Sequence, residues 1–285
     1  MPISRISGPA LGALDAASTL TIHSVFDTAV NLRAGVRLIT CTSRRLAAPH
    51  GVELTVGDLR RLRDYGRQHS AASLYWNTCR HQIADMTGAL AVRSAPNRIV
   101  FDPLLPVIGP SGWASGVASF IGHLAHRRPL TGFGADWPAL ITEKRLVDAV
   151  ASIVGGRVDD TVLYWLGRGP GLTPSGDDIL IGVLAALWSA GVLTGESMAA
   201  LRQPLESAAR TRTNDISAEY LHYACRGMAA GPLHDLLVAL HGRRPAAVGD
   251  VVDRLAIYGH TSGADIALGA ITALRYISSI SSISG

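Results

Sequence analysis

Hydrophobic and polar positions follow one period before about residue 103 and another after it. Residues 19–57 alternate in short apolar runs bounded by turn residues, as β-strands do. Strands are predicted over 20–26, 36–41, 52–56 and 98–101. The intervening segments 58–69 and 74–86 are predicted as short helix or irregular structure. We therefore expect a mainly β domain over residues 1–108.

From residue 110 onward the apolar positions recur every three to four residues, which predicts helices. They are predicted over 113–126, 141–154, 159–166, 177–190, 196–211, 217–228, 233–241, 247–258 and 264–277. A cluster of Pro and Gly residues between Pro103 and Gly112 marks the boundary, and the Ile-Ser-Ser tail over 277–285 is predicted to fray. The fold class is α+β, with a helical domain over 109–285.

One phrase occurs twice in the helical part. Ser175–Gly182 is SGDDILIG and Ser262–Gly269 is SGADIALG, so five of eight positions match. Each copy follows a turn and precedes an apolar run, which predicts a helix whose N-cap is the Ser, with an Asp three residues on as in a capping box. Because the N-terminus of a helix attracts anions, the two copies are candidates to share one anionic ligand. Helix capping alone is the alternative.

The eighth position of both copies is Gly, which costs stability inside a helix and has to be offset by something. Close approach of two helices at Gly182 and Gly269 is the expected reason. Helices that cross there bring their N-termini together.

Composition narrows the function classes. The 285 residues are 48% hydrophobic and 17% charged, which predicts a folded, soluble protein with a sizeable core. The net charge of +4 is spread along the chain and aromatics are 6%, which fits a small anionic substrate better than nucleic acid. The longest apolar run, Ile179–Gly195, is predicted as a buried central helix, not a membrane span. Three scattered cysteines and the lack of a recognisable secretory signal predict a cytoplasmic location.

Several catalytic motifs fail. The glycine-rich segment before Ser175 lacks the Lys of a nucleotide-binding P-loop. It also lacks the predicted flanking strands that a dinucleotide-binding fold requires. His23 and Ser24 are neighbours on a predicted strand, so we expect their side chains on opposite faces, unable to pair as base and nucleophile. A metal-dependent hydrolase of amide or ureido compounds, with Asp178, Asp265 and His260 as ligands, stays open as an alternative.

The sequence resembles a known family at these residues. GRGPGLTPSGDDILIG, Thr213-Asn214-Asp215-Ile216-Ser217 and GHTSGADIALG are similar to the AllH-type family, long catalogued as a domain of unknown function. The early phrase His23-Ser24-Val25-Phe26 with Ala29-Val30-Asn31-Leu32 is similar to the start of that family. The name-giving member is assigned as a subunit of the oxamate carbamoyltransferase of allantoin breakdown. The resemblance implies an enzyme, or enzyme subunit, that moves a carbamoyl group between phosphate and a small amide or amine.

Carbamoyl transfer fits the two helix starts, because it needs positioned reactants and oriented donors but no activated nucleophile. Asp178 and Asp265 are expected to hold the amino group of a reactant, and His260 to carry the proton. The expected substrate-binding residues are Arg168, Gly171, Thr173, Ser175, Gly176, Asp177, Thr261, Ser262 and Gly263. We expect no cofactor, no resident metal, no nucleic-acid partner and no membrane, with partner subunits implied by the family. A non-catalytic anion-binding or scaffold subunit is a further alternative.

Overall fold

The chain forms two compact units, residues 1–103 and 104–285. The computed structural model describes residues 5–44, 48–93, 99–127, 130–134, 137–193, 195–241, 245–256 and 261–281. The first unit is built on a sheet and the second is mostly helical, which confirms the α+β class.

The first unit is a nine-stranded sheet in the order β8-β7-β6-β2-β3-β4-β5-β1-β9 within the described residues. The strands are β1 Arg5–Ser7, β2 Leu20–Val25, β3 Ala29–Ala34, β4 Arg37–Thr42, β5 Gly51–Glu53, β6 Ser73–Asn77, β7 Gln82–Asp85, β8 Ala91–Arg93 and β9 Ile99–Phe101. Neighbours are antiparallel except for β4–β5 and β1–β9. Two helices, α1 Gly8–Ala16 and α2 Val56–Gln68, accompany the sheet.

Strand β2 contains an irregularity that the sequence did not indicate. Ile22 pairs with Leu32 on β3 and Ser24 pairs with Asn31, so His23 is an extra residue in the ladder. A β-bulge of this kind turns two successive side chains toward the same side. The His23 ring and the Ser24 hydroxyl are accordingly 3.1 Å apart, joined through Nδ1 and Oγ. The prediction that these two side chains cannot meet is wrong.

Other elements of this unit also differ from the sequence prediction. Residues 74–86, expected as helix or irregular structure, form the antiparallel β6–β7 hairpin. Its first strand contains Tyr75 and Trp76, which suit a pleated surface better than a helix. Helix α1 was not predicted; Ser7 caps it by accepting a hydrogen bond from Ala10 N–H at 3.1 Å.

The second unit consists of ten helices within the described residues. They are α3 Ala114–Arg127, α4 Trp137–Leu140, α5 Lys144–Val154, α6 Asp160–Leu163, α7 Ser175–Ser189, α8 Gly195–Arg212, α9 Asp215–Ala224, α10 Gly231–His241, α11 Pro245–Ala256 and α12 Ser262–Ser281. Helix α7 is central, since every residue but Trp188 is buried. This confirms the predicted buried helix for the part of the longest apolar run up to Ser189, whereas residues 190–193 form a turn before α8.

Helix α12 continues four residues beyond its predicted end, to Ser281. The Ser278 hydroxyl donates to Leu274 O at 2.8 Å, a bond that lets serine stay inside a helix. The expectation that the tail frays from residue 277 is therefore wrong up to Ser281. No helix among the described residues is long and apolar enough to cross a membrane.

Candidate functional site

The two repeated phrases begin the two helices that pack most closely, α7 and α12. A Cβ added to Gly182 would lie 2.0 Å from Ile266 O, and one added to Gly269 would lie 1.9 Å from Ile179 O. Each glycine thus contacts the backbone of the other helix at the equivalent Ile. The prediction that these glycines permit a close helix crossing is confirmed.

The N-termini of the two helices converge, as the crossing requires. Thr173 Oγ1, just before α7, lies 3.0 Å from Ser262 Oγ at the first residue of α12. The same Thr173 hydroxyl donates to Asp178 Oδ2 at 3.0 Å. We call residues 173–178 and 261–265 the paired helix starts.

Within the paired helix starts, the Ser of each copy faces the Asp of the other. Ser262 lowers the pKa of Asp178 by hydrogen bonding, and the nearby Ser175 hydroxyl lowers the pKa of Asp265. The Ser175 hydroxyl is buried and makes no hydrogen bond of ordinary geometry in this arrangement, although it stands beside the Asp265 carboxyl. The cross-pairing gives the site an approximate two-fold symmetry.

A short loop covers the Asp265 side of the site. Gly132 N–H donates to both carboxyl oxygens of Asp265 at 3.2 Å. A Cβ on Gly132 would lie 1.8 Å from Ser175 Oγ and 3.1 Å from Thr261 Oγ1. Only glycine lets the loop approach both helix starts this closely.

Asp177 is turned to other partners. Its Oδ1 accepts from Gly167 N–H at 2.7 Å and its Oδ2 accepts from the Thr213 hydroxyl. Asp177 is fully buried, so it anchors the turn before α7 to the segment that precedes α9.

Burial controls the ionisation of all three carboxyl groups. It raises the pKa of Asp178 well above its usual value; Ser262 and Thr173 oppose the rise, while the charges of Asp265 and Asp177 add to it. Burial likewise raises the pKa of Asp177 and of Asp265. None of the ion pairs found among the described residues involves these three carboxyl groups.

The first turn of α7 differs from its predicted form. Its N-cap is Pro174, without a side-chain cap, and Ser175 is the first helical residue. Gly176 N–H donates to Arg168 O at 2.8 Å, and the N–H groups of Asp177 and Asp178 both donate to Pro174 O. The prediction that the Ser is the N-cap is wrong for both copies, since α12 likewise begins at Ser262 itself. The phosphate-binding role of this turn stays a prediction, and these three donors are already engaged.

Two predicted binding residues lie at the surface. Arg168 is exposed, with its guanidinium carbon 4.1 Å from the centre of the Tyr164 ring, and Arg145 lies 4.6 Å from the same ring. Gly171 is exposed and has φ of +103°. Gly263, in contrast, is buried in the first turn of α12.

His260 lies outside the described residues. Among the residues that are described, no group of three or more His, Cys, Asp or Glu side chains is arranged to hold a metal ion. The metal-site alternative had named Asp178, Asp265 and His260 as ligands.

Sequence reasoning missed three residues that hold the carboxyl groups in place: Gly132, Gly167 and Thr213. The glycine-containing stretch over 130–134 gave a weak signal for the first. Thr213 lies in a segment that already stood out in the sequence, directly before Asn214, which caps α9 by accepting from Ser217 N–H at 3.0 Å.

The arrangement has a definite chemical preference. Buried carboxyl groups without a cationic partner either keep a proton or need N–H donors from elsewhere. The hydroxyls of Thr173 and Ser262 stand beside them and can both donate and accept. Such a site suits a small ligand that carries an amide or amine NH₂ group.

Residues 165–274 match the family model described as oxamate carbamoyltransferase subunit AllH. Residues 165–274, which we call the AllH-type region, are thus similar to this family. The match contains both paired helix starts and the Thr213 segment, so it confirms the predicted resemblance over these residues, and the early phrase that begins at His23 lies outside it. No solved structure matches the chain significantly.

Proposed function

We propose that this chain is a carbamoyltransferase subunit that uses the paired helix starts to bind a small amide substrate such as oxamate. The observation that supports this most is the cross-paired cluster of Asp178 and Asp265 inside the AllH-type region. Perturbed carboxyl groups gathered at one point are typical of functional sites.

The amide NH₂ groups of the reactants supply the hydrogen-bond donors that the two carboxyl groups lack. In this proposal Asp178 and Asp265 each accept a hydrogen bond from an NH₂ group, one on the carbamoyl donor and one on the acceptor. The two-fold arrangement of the helix starts matches a reaction whose two partners both end in a carbamoyl-like group. Holding them side by side provides most of the catalysis that positioning can give.

The transfer step forms one C–N bond and breaks one C–O bond. The amide nitrogen of the acceptor attacks the carbamoyl carbon of carbamoyl phosphate, and phosphate leaves with the electron pair of the C–O bond. The nitrogen loses a proton, for which His260, next in the chain to Thr261, is the proposed carrier. The phosphate group is assigned to Thr261, Ser262 and Gly263 at the start of α12, where the helix dipole favours an anion.

Substrate binding alone does not require a complete enzyme. Thermal unfolding of the purified chain with oxamate, with carbamoyl phosphate and with inorganic phosphate measures it directly, because a ligand that binds the folded state raises the unfolding temperature. We expect oxamate and carbamoyl phosphate to raise it, and EDTA to leave both shifts unchanged.

Catalysis is tested by phosphate release from carbamoyl phosphate on addition of oxamate, with the chain alone and with its partner subunits. The matched variants are Asp178→Asn and Asp159→Asn, since Asp159 is an aspartate at another helix start of the same unit. We expect the first to abolish oxamate-dependent release and the second to leave it unchanged. Shifts that EDTA removes would instead favour the metal-dependent hydrolase, and no shift with any ligand would favour the scaffold.

A further inference from the structure

The first unit contains a chain of hydrogen-bonded polar side chains across its sheet. Ser24, Asn31 and Thr40 lie opposite one another on β2, β3 and β4. Asn31 Nδ2 donates to Ser24 Oγ at 3.0 Å, and Thr40 Oγ1 donates to Asn31 Oδ1 at 2.8 Å. His50 Nε2 lies 3.2 Å from Thr40 Oγ1. We call these four residues with His23 the polar rung.

Most of the polar rung is buried. Asn31, Thr40 and His50 are 3%, 7% and 1% exposed, while Ser24 and His23 are half-buried at its outer end. Val30 and Leu32, on either side of Asn31, are fully buried on the opposite face of β3. An apolar residue at Asn31 or Thr40 would avoid the cost of burying polar groups. The network therefore favours a role at its outer end over a purely structural one.

Two of these hydrogen bonds have a defined direction: Thr40 donates to Asn31 Oδ1, and Asn31 Nδ2 donates to Ser24 Oγ. Thr40 has one hydroxyl proton and gives it to Asn31, so its contact with His50 requires His50 Nε2 to be the donor. Asn31 in turn donates to Ser24, whose own proton remains available for His23 Nδ1, 3.1 Å away. The Ser24 hydroxyl can therefore donate to His23 Nδ1 when that nitrogen carries no proton, which is the tautomer that a general base requires.

We infer that Ser24 is a nucleophile with His23 as its general base, forming a second site that accepts a small acyl or carbamoyl donor. A serine hydroxyl within hydrogen-bond distance of a histidine nitrogen is the nucleophile–base pair that activates serine, and Asn31 holds the Ser24 side chain in place. The β-bulge at His23 creates it by bringing two neighbouring side chains to one side of the strand. Asn31, Thr40 and His50 are positioning residues.

The reaction at this site is an ordinary acyl transfer. Ser24 Oγ attacks the carbonyl carbon while its proton passes to His23 Nδ1. The leaving group departs with the electron pair of the broken bond and takes the proton back from His23. Water then attacks the acyl-serine or carbamoyl-serine, which releases the acid and restores the hydroxyl. Nothing in this step involves the paired helix starts, so its failure would leave the proposed function untouched.

A fluorophosphonate probe tests the inference, because an activated serine displaces fluoride from its phosphorus. We expect one label per folded chain, mapped to Ser24 by peptide mass. His23→Gln should slow labelling about a hundred-fold, the usual share of a general base, and Ser73→Ala, which removes an exposed serine on β6, should leave it unchanged. A folded wild-type chain that is not labelled at Ser24, or a His23→Gln variant labelled at the wild-type rate, overturns the inference.

The positioning residues need a readout other than stability. Thr40→Val breaks the polar rung between His50 and Asn31, whereas Thr40→Ser keeps its hydroxyl. We expect the valine variant to label Ser24 at least ten-fold more slowly and the serine variant to restore the rate, with labelling measured well below the unfolding temperature of each variant. Equal labelling rates in both variants would show that the buried part of the rung does not act on Ser24.

Discussion

Aspartates lie at two kinds of helix start in the second unit, and their pKa values shift in opposite directions. Asp159 precedes α6 and receives hydrogen bonds from Ser152 Oγ at 2.6 Å and Thr161 N–H at 3.1 Å. These bonds, that of Ser152 first, together with the bond from the Thr161 hydroxyl, lower the pKa of Asp159 to about 2. At the paired helix starts, burial raises the pKa of Asp178 and of Asp265 instead.

The difference distinguishes an ordinary helix cap from the proposed substrate site. Asp159 has a side chain that is 40% exposed and donors that match its charge, so it stabilises its helix as an ordinary cap. Asp178 and Asp265 are buried with fewer donors than an ionised carboxyl group needs. We expect carboxyl groups that destabilise the folded protein in this way to bind a substrate.

The largest effect is expected where the two helices touch. Gly269→Ala places a Cβ 1.9 Å from Ile179 O, so α7 and α12 have to separate. We expect a loss of about 3 kcal/mol or more in the free energy of unfolding, measured with denaturant, together with loss of oxamate binding. The control is Gly122→Ala on α3, where the added Cβ has no neighbour within 4 Å, and a gain of about 0.5–1 kcal/mol is expected. A stable Gly269→Ala variant would contradict the crossing.

The aspartates themselves should respond to pH with opposite signs. Asp178 has a folded-state pKa above its unfolded value of about 3.9, so its contribution to stability decreases as pH rises from about 4 through the folded pKa. Asp159, with a folded pKa of about 2, contributes above about pH 4 and loses that contribution as pH falls toward 2.

At pH 8 we therefore expect Asp178→Asn to raise the free energy of unfolding by about 1 kcal/mol. Asp159→Asn should lower it by about 0.5 kcal/mol, a small figure because solvent screens this side chain. Denaturant titrations of both variants from pH 4 to 8 measure the two effects. Changes of the same sign in the free energy of unfolding at pH 8 would contradict the difference between the two aspartates.

A smaller effect tests the cross-pairing. Ser262 lowers the pKa of Asp178 although the two residues belong to different helices. A double-mutant cycle with Ser262→Ala and Asp178→Asn should give a coupling free energy of about 0.5–1 kcal/mol. Ser262→Ala combined with Asp159→Asn should be additive within about 0.3 kcal/mol. Additivity in the first cycle would mean that the two helix starts do not interact.

The smallest effect is expected at Arg168, whose guanidinium lies over the Tyr164 ring. Arg168→Ala removes this exposed cation–π contact, at a cost of about 0.5 kcal/mol of unfolding free energy. The affinity for oxamate, measured by calorimetry, should stay the same. A clear fall in affinity would bring Arg168 back to the substrate, as the sequence first suggested.

The sequence predicted the parts of the site that follow from repetition and periodicity. The repeated phrase located both helix starts, and Gly182 with Gly269 predicted their crossing, because an unexplained helix glycine needs a close neighbour. The cap at Ser175 was wrong by one position, since Pro174 takes the N-cap. Propensities do not fix a helix end to a single residue.

Long-range and irregular features escaped prediction. The contact of Gly132 with Asp265 joins residues 133 positions apart, and no local pattern indicates it. The bulge at His23 shifts the register that strict alternation assumes. His23 and Ser24 therefore face the same side of the strand instead of opposite sides. The β6–β7 hairpin was missed because its two short strands lie in a stretch without clear alternation.

The most direct test of the account is a calorimetric titration of oxamate into the wild-type chain, Asp178→Asn and Asp159→Asn at neutral pH. We predict saturable binding of one oxamate per chain in the wild type and in Asp159→Asn, with binding at least ten-fold weaker in Asp178→Asn. Equal affinities in all three proteins, or no binding in any of them, would contradict the claim that the paired helix starts form the substrate site.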